Sequence, residues 1–315
     1  MIYKLFWTGG FDSTFRLCQL VRTKEKVEPI YIINKSRKSY LYEIEAQKQI
    51  IAFLKEKGYG DFILPVRYED FYDIPMKKGW EEDFLLANRH CDLVPQFGWL
   101  SVYANQHYKQ DGYLEVCQEK LMNGQPSTIE TYLAADNHGT VKKDEYGRFI
   151  IDKERTTHMR TMRLFGSLAF PVLGLTNLEM LQFLNNWHLA EIVHLIRFCD
   201  GDTSEPCGVC TPCRNKIKTG LFSKFFSKNA MHRNKIITYL ENLDYGDKIS
   251  MRPGIMWAFE QYIKNDHFAF YKAVPNEMFA HQLAFLFDKL LNYSDNKLEK
   301  YFKNNRKFKD VFGQI

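Results

Sequence analysis

No stretch of the sequence is apolar enough to cross a bilayer. The longest apolar runs, such as Leu283–Phe287, fall far short of the roughly 20 residues that a spanning helix needs. The opening MIYKLFWTGGFDST has no apolar leader core and no small-residue cleavage site, so the sequence predicts a cytoplasmic protein without a membrane partner. Low-complexity tracts and internal repeats are missing as well. There is no G-K-[ST] phosphate loop, no G-x-G-x-x-G, no H-E-x-x-H and no Ser-His-Asp order, which sets aside Walker ATPases, dinucleotide oxidoreductases, zincins and serine hydrolases. Neither sign of charge dominates. The net charge of +5 suits phosphorylated ligands and makes no demand for nucleic acid. Cysteine is sparse except in one place: Cys18, Cys91 and Cys117 are scattered, whereas Cys199, Cys207, Cys210 and Cys213 crowd into one short segment.

The composition, 45% hydrophobic and 26% charged, is that of a chain able to bury a core, and this excludes wholesale disorder, a collagenous fibre and a disulfide miniprotein. Most of the abundant aromatics read as core. Strand and helix patterns alternate over the first hundred residues. Ile2–Trp7, Pro29–Ile33 and Phe62–Val66 read as strands, and Phe15–Arg22 and Tyr42–Lys57 as helices. The expectation is an α/β, Rossmann-like domain with a mainly parallel sheet. A helical pattern runs from Trp80 to about Lys109. Residues 110–150 read as loops or a hairpin with a turn at Asn137, and Leu168–Leu173 as a buried strand. Thr176 caps a helix over about Leu178–Trp187, with Glu179 at its third position. The last hundred residues are nearly all helical in pattern.

The segment Thr8-Gly9-Gly10-Phe11-Asp12-Ser13-Thr14 lies between the first strand and the first helix. Glycines let a backbone come close to a ligand, and the amides and dipole of a helix start bind anions. This WTGGFDST stretch resembles the SGGxDS loop of the PP-loop ATP pyrophosphatases, with Thr8 in place of the first serine. The resemblance implies that the loop holds the β- and γ-phosphates of ATP. Asp12 would order the loop or its Mg²⁺, and Ser13 and Thr14 would donate to pyrophosphate. It also brings Ile33 and Lys35, at the end of the second strand, close to the adenosine, with Arg37 and Lys38 as further candidates there.

Cys199-x7-Cys207-x2-Cys210-x2-Cys213 offers four thiolates to one ion, with Gly208 and Pro212 favouring the sharp turns between them. Structural zinc is the natural occupant, and an iron–sulfur cluster is the alternative. With the phosphate loop, this knot makes residues 2–216 similar to the 7-cyano-7-deazaguanine synthase family. Glu43-Ile-Glu-Ala46, Val94-Pro95 and Phe170-Pro171 through Glu179 match its landmarks in order, and Cys207-Gly-Val-Cys-Thr-Pro-Cys-Arg214 closes the match. The resemblance implies a PP-loop domain with its knot over 1–216 and a helical extension over 217–315. It also implies the activity: ATP-dependent adenylation of a carboxylate such as 7-carboxy-7-deazaguanine, release of pyrophosphate, then an amide or a nitrile. The acceptor is ammonia or a protein amine. Relatives of that synthase also occur in bacterial antiviral defence operons.

The departures fall on the substrate side. The family's Arg-Asn after Val-Pro is Gln96-Phe97 here, its substrate segment has no counterpart near 115–135, and its lysine is Asn177. The basic run Arg155, His158, Arg160 and Arg163 is the candidate replacement, with Arg160 and Arg163 read as catalytic cations. Cys91 and Cys117 read as buried small hydrophobes, with a thiolate catalyst as the alternative. Residues 206–240 hold no acid but carry Arg214, Lys216, Lys218, Lys224, Lys228, Arg233 and Lys235, either as a solvated face or as a surface for an acidic partner. Aromatic stripes at Phe259, Tyr262, Phe279, Leu283 and Phe287 either enlarge the first domain's core or form an interface for an acceptor or a second copy of the chain. Two other readings remain open at this stage: a tRNA-thiolation enzyme, and a zinc-stabilised binding module without turnover.

Overall fold

The computed structural model describes all residues except 77, 90, 92, 94, 109–111, 121–124, 202–203, 221, 275 and 313–315. The chain divides into two compact units, Met1–Arg197 and Phe198–Ile315. The division precedes the four cysteines, so they belong with the helices that follow, whereas the sequence reading kept them with the first domain and drew its boundary after residue 216.

In the first unit, β1 (Ile2–Phe6) leads through a glycine turn into α1 (Phe11–Arg22). Next come β2 (Lys26–Ile33), α2 (Tyr40–Glu56), β3 (Arg67–Asp70), α3 (Lys78–Asn88) and α4 (Gln96–Tyr108). Then follow β4 (Leu114–Glu115), α5 (Thr128–Ala134), β5 (Val141–Lys143), β6 (Phe149–Ile151), α6 (Met159–Phe165), β7 (Leu168–Phe170) and α7 (Asn177–Asn186). The seven strands form one sheet in the order β3-β2-β1-β4-β7-β6-β5. The first five are parallel, and β6 runs antiparallel to both β7 and β5. The expected α/β architecture with a mostly parallel sheet is present.

Strand order reverses at β1. The chain first steps outward to β2 and β3, then returns to place β4 on the other side, so the carboxyl ends of β1 and β4 diverge. Open α/β sheets bind ligands at such a switch point. Central strands are apolar because both faces are covered: Leu5, Ile30 and Leu114 are fully buried. Helix α1 is pinned from behind, where Phe15 stacks on Trp187 at 5.4 Å between ring centroids.

Some expected elements shift. Helix α1 begins at Phe11 rather than Phe15, because the Thr14 N–H already donates to the Gly10 carbonyl at 3.0 Å. The Phe62–Val66 run is not a strand apart from a single bridge at Ile63. The third strand is the polar Arg67–Asp70 that follows. Pro65 lacks the N–H a ladder needs, and β3, at the sheet edge, needs no apolar run. The helical stretch from Trp80 separates into α3 and α4, with Lys109 and the Val94 of the Val-Pro landmark outside the described residues. Residues 141–151 form a hairpin, one of the two readings of this stretch, but it turns at Asp144–Gly147, whereas Asn137 ends a separate short 3-10 turn.

The second unit is helical, comprising α8 (Thr211–Thr219), α9 (Lys228–Glu241), α10 (Arg252–Ile263), α11 (His267–Ala273), α12 (Glu277–Leu291), α13 (Asp295–Asn304) and α14 (Phe308–Phe312). Its aromatic stripes close on one another. Phe259 meets Phe287 edge-on at 5.0 Å, Tyr262 meets Phe287 at 5.6 Å, and Leu283 and Leu290 are fully buried. They build a core within this unit. No helix among the described residues is long and apolar enough to cross a membrane.

Candidate nucleotide cleft and metal centre

The glycine turn sits at the switch point. Gly9 has φ +76°, a left-handed conformation that disfavours side chains, and a Cβ there would lie 3.3 Å from the Glu43 carbonyl oxygen and 3.5 Å from the Ala46 Cβ. The turn is therefore seated on α2 through its smallest residues, which gives the Glu43–Ala46 landmark a physical reason. Gln47 donates from Nε2 to the Trp7 carbonyl at 2.8 Å, and the Arg197 N–H donates to the Gly9 carbonyl at 2.9 Å. Glu43 is itself fixed by the Tyr31 hydroxyl at 2.6 Å and the Arg37 guanidinium at 2.8 Å. Burial first, and then this carboxylate, push the Tyr31 hydroxyl far up, so it remains a donor. The sequence reading did not single out Tyr31 or Gln47 as supports. Their signal, one polar residue within each apolar pattern, is too common to stand out.

Gly10 is extended, with no side chain to cap α1, and it opens the helix toward a cleft of about 140 Å³. Thr8, Gly10, Phe11, Asp12 and Ser13 line one side. Opposite stand Gln96 at the start of α4 and Val116 and Cys117 after β4, with Phe6 between the two walls. An α-helix leaves its first amides without intrahelical acceptors, so this wall suits an anion.

The other expected site residues separate from the cleft. Thr14 is buried, and its Oγ1 accepts from the Trp7 indole at 3.0 Å, a prop beneath the turn. Ile33 is half-buried at the end of β2. Lys35 is exposed and paired with Asp70 at 2.8 Å, and that hydrogen bond holds the Asp70 carboxyl below its ordinary value. Arg160 and Arg163, expected as catalytic cations, both approach Asp83 of α3, at 3.5 and 2.7 Å, and neither lines the cleft. His158 caps α6, and Arg155 reaches Asp152 at 3.8 Å. The basic run serves local structure: the arginines donate to buried Asp83, and His158 accepts from the Thr161 N–H at the start of α6.

Cys117, expected as a buried small hydrophobe, is half-buried and on the cleft wall. Burial first, then the Glu115 carboxylate, raise its thiol well above the ordinary value, with Asp12 adding to the rise, so it stands there as a neutral thiol. Glu115 is fully buried and held by Arg16 through two hydrogen bonds of 2.8 Å. Arg148 reaches the same carboxylate at 3.4 Å. This network ties α1 to β4 and to the hairpin.

In the second unit the four cysteine sulfurs lie within 4.8 Å of one another, all buried. Cys207 and Cys213 are 3.9 Å apart, and Cys199 and Cys210 4.0 Å. A tetrahedral ion with metal–sulfur bonds of about 2.3 Å requires edges of roughly 3.8 Å, so the residues fit one ion, whereas a multi-iron cluster spreads its thiolates wider. Backbone N–H groups of Cys207 and Cys210 donate to the sulfurs of Cys199 and Cys207. Gly208, at φ +83°, packs so tightly on α9 that a Cβ would lie 2.1 Å from the Ala230 carbonyl oxygen. Four protein ligands leave no open coordination position, so the arrangement can hold structure but cannot present a metal-bound water.

No protein-family model matches the sequence, and no curated protein matches it.

Proposed function

We propose that the protein is an ATP-dependent carbon–nitrogen ligase that adenylates a small carboxylate, releases pyrophosphate and passes the acyl group to an amine. The observation that carries this reading is the cleft at the β1/β4 switch point, walled by the Gly9–Gly10 turn and the start of α1. The resemblance of WTGGFDST to PP-loop sequences supports the same chemistry, and a deazaguanine carboxylate is the substrate we favour.

In this reading the amides and Ser13 receive the β- and γ-phosphates, and Asp12 orders the Mg²⁺ that accompanies them. The α-phosphate then faces Gln96 and Cys117. A carboxylate oxygen attacks it, the bond to the bridging oxygen breaks, and pyrophosphate leaves on the helix start. The amine next attacks the acyl carbon, AMP departs with the oxygen, and the amine's proton passes to solvent. Catalysis here is positioning plus electrostatic stabilisation of charge that moves onto the leaving group. Gln96, standing where the family has Arg-Asn, is a neutral amide donor to the substrate, and Phe6 and Val116 supply an apolar wall for a flat ring. Zinc on the four thiolates holds the second unit's fold and takes no part in the reaction.

The test is pyrophosphate release with 7-carboxy-7-deazaguanine, with ammonium and primary amines as acceptors and the products read by mass spectrometry. Asp12→Ala and Ser13→Ala are expected to lower release by about a hundredfold or more while unfolding at the temperature of the parent protein. Near-normal release in either variant removes ATP from this turn. A nitrile with ammonium as the product decides against a protein amine as the acceptor.

A further inference from the structure

A second and larger cleft, about 450 Å³, lies wholly within the helical unit, between α9, α10 and α12. Its volume falls in the range of small-ligand sites, about 300–1,000 Å³. Nothing in the ligase reading uses it.

Its walls carry opposite charges that do not close on each other. Arg233 lines the α9 side and makes no ion pair among the described residues. Its neighbour His232 is already committed, to Asp295 at 2.7 Å through Nδ1 and to the Leu290 carbonyl at 3.4 Å through Nε2. Asp288 lines the α12 side, with the Tyr262 hydroxyl beside it. Amide side chains of Asn229 and Asn265 also reach the cleft, and Ile263 and Leu291 add aliphatic surface. A guanidinium and a carboxylate in one concavity, held apart, match a ligand with the complementary pair of charges. A simple anion would meet Asp288, and a simple cation would meet Arg233. The aliphatic residues favour a ligand that also carries an apolar group.

We propose that this cleft binds a free α-amino acid with an apolar side chain, its carboxylate on Arg233, its ammonium on Asp288 and its side chain against Ile263 and Leu291. Charged hydrogen bonds of this kind give the site its selectivity, since removing either charge from the ligand strands a protein charge. The proposal does not depend on ATP turnover and is tested without it.

The experiment is titration calorimetry of the full chain with leucine and phenylalanine in ATP-free buffer, compared with leucinamide and N-acetylleucine. Saturable binding of leucine or phenylalanine is expected, with both analogues weaker by about tenfold or more. Arg233→Gln should weaken leucine to the level of leucinamide, and Asp288→Asn should weaken it to the level of N-acetylleucine. Asp288 is exposed, and Arg233 is half-buried without an ion pair among the described residues, so the unfolding temperature should hold and serves as the control. Failure of both amino acids to bind overturns the proposal. So does equal binding of the analogues, or leucine affinity unchanged in both variants.

Discussion

At the scale of single residues, the two sites depend on glycines for different reasons. Gly9 permits a turn and a close seat on α2, whereas Gly208 permits contact with a rigid helix backbone. A Cβ 2.1 Å from the Ala230 carbonyl oxygen cannot be relieved by rotating a flexible side chain. Gly208→Ala is therefore expected to cost more than about 3 kcal/mol, from backbone clash together with a left-handed φ, and to leave metal analysis well below one ion per chain. A fully metallated, stable variant would mean that α9 yields easily here. Cys117 makes a prediction of opposite character. Its raised thiol leaves less thiolate at neutral pH than a free cysteine has, so iodoacetamide should label it slowly near pH 7. Labelling should accelerate only as pH climbs past the ordinary thiol range, and ATP should slow it, because Cys117 lines the same cleft as Asp12 and Ser13. Fast labelling at neutral pH, mapped by peptide mass spectrometry, would return Cys117 to the role of an activated nucleophile.

At the scale of elements, two helices carry complete capping boxes. Thr176 and Glu179 satisfy each other's backbone at the start of α7, and Ser127 and Glu130 do so at the start of α5. Ser127→Ala should cost about 1–2 kcal/mol and Thr176→Ala about 1 kcal/mol, read as unfolding temperature, with the larger effect at Ser127 because that residue is fully buried. Equal shifts would show that burial adds nothing to the cap. Only the Thr176 box was legible beforehand, because a long apolar-periodic run follows it. Helix α5 has seven residues, too few to establish a period, and β4 has two, too few for any pattern. Both are set by tertiary contacts: β4 exists because Leu114 pairs with Lys4 on one side and Leu168 on the other. The glycine turn was readable because its glycines are local in sequence. The opposite wall was not, since Gln96, Val116 and Cys117 meet it only once the sheet reverses its order. The same limit explains Arg160 and Arg163, whose charge was visible but whose buried partner Asp83 lies far away in the chain.

At the scale of the whole molecule, charge and the four-cysteine cluster act within the second unit in ways that sequence order conceals. The stretch 206–240 has no acid of its own, yet Arg214 pairs with Glu241 and Lys235 with Asp295, so part of its charge is neutralised in space while Lys224 and Lys228 stay exposed. The four cysteines do comparable joining. Cys199 stands at the entrance to the unit, Cys207 and Cys210 flank the Gly208 turn, and Cys213 lies in the first helix, α8. One ion on all four would tie the entering chain to α8, and the Gly208 carbonyl accepts from the Asn234 amide at 3.0 Å, which links the Gly208 turn to α9. Structural zinc contributes apparent binding energies of about 10–16 kcal/mol in small domains, comparable with the whole stability of a folded unit. The first unit has its own sheet and core, with Phe6, Phe97 and Phe170 buried among residues that precede Phe198. Removing the ion by chelation should therefore act unevenly. Hydrogen exchange is expected to accelerate through α8 and α9 and across the stripes of α10 and α12, while β1, β2 and α1 keep their protection. Metal analysis before chelation should give one zinc per chain. Protection lost equally from both units would make the ion a support for the entire chain, and protection lost from neither would make the four thiols dispensable to the fold.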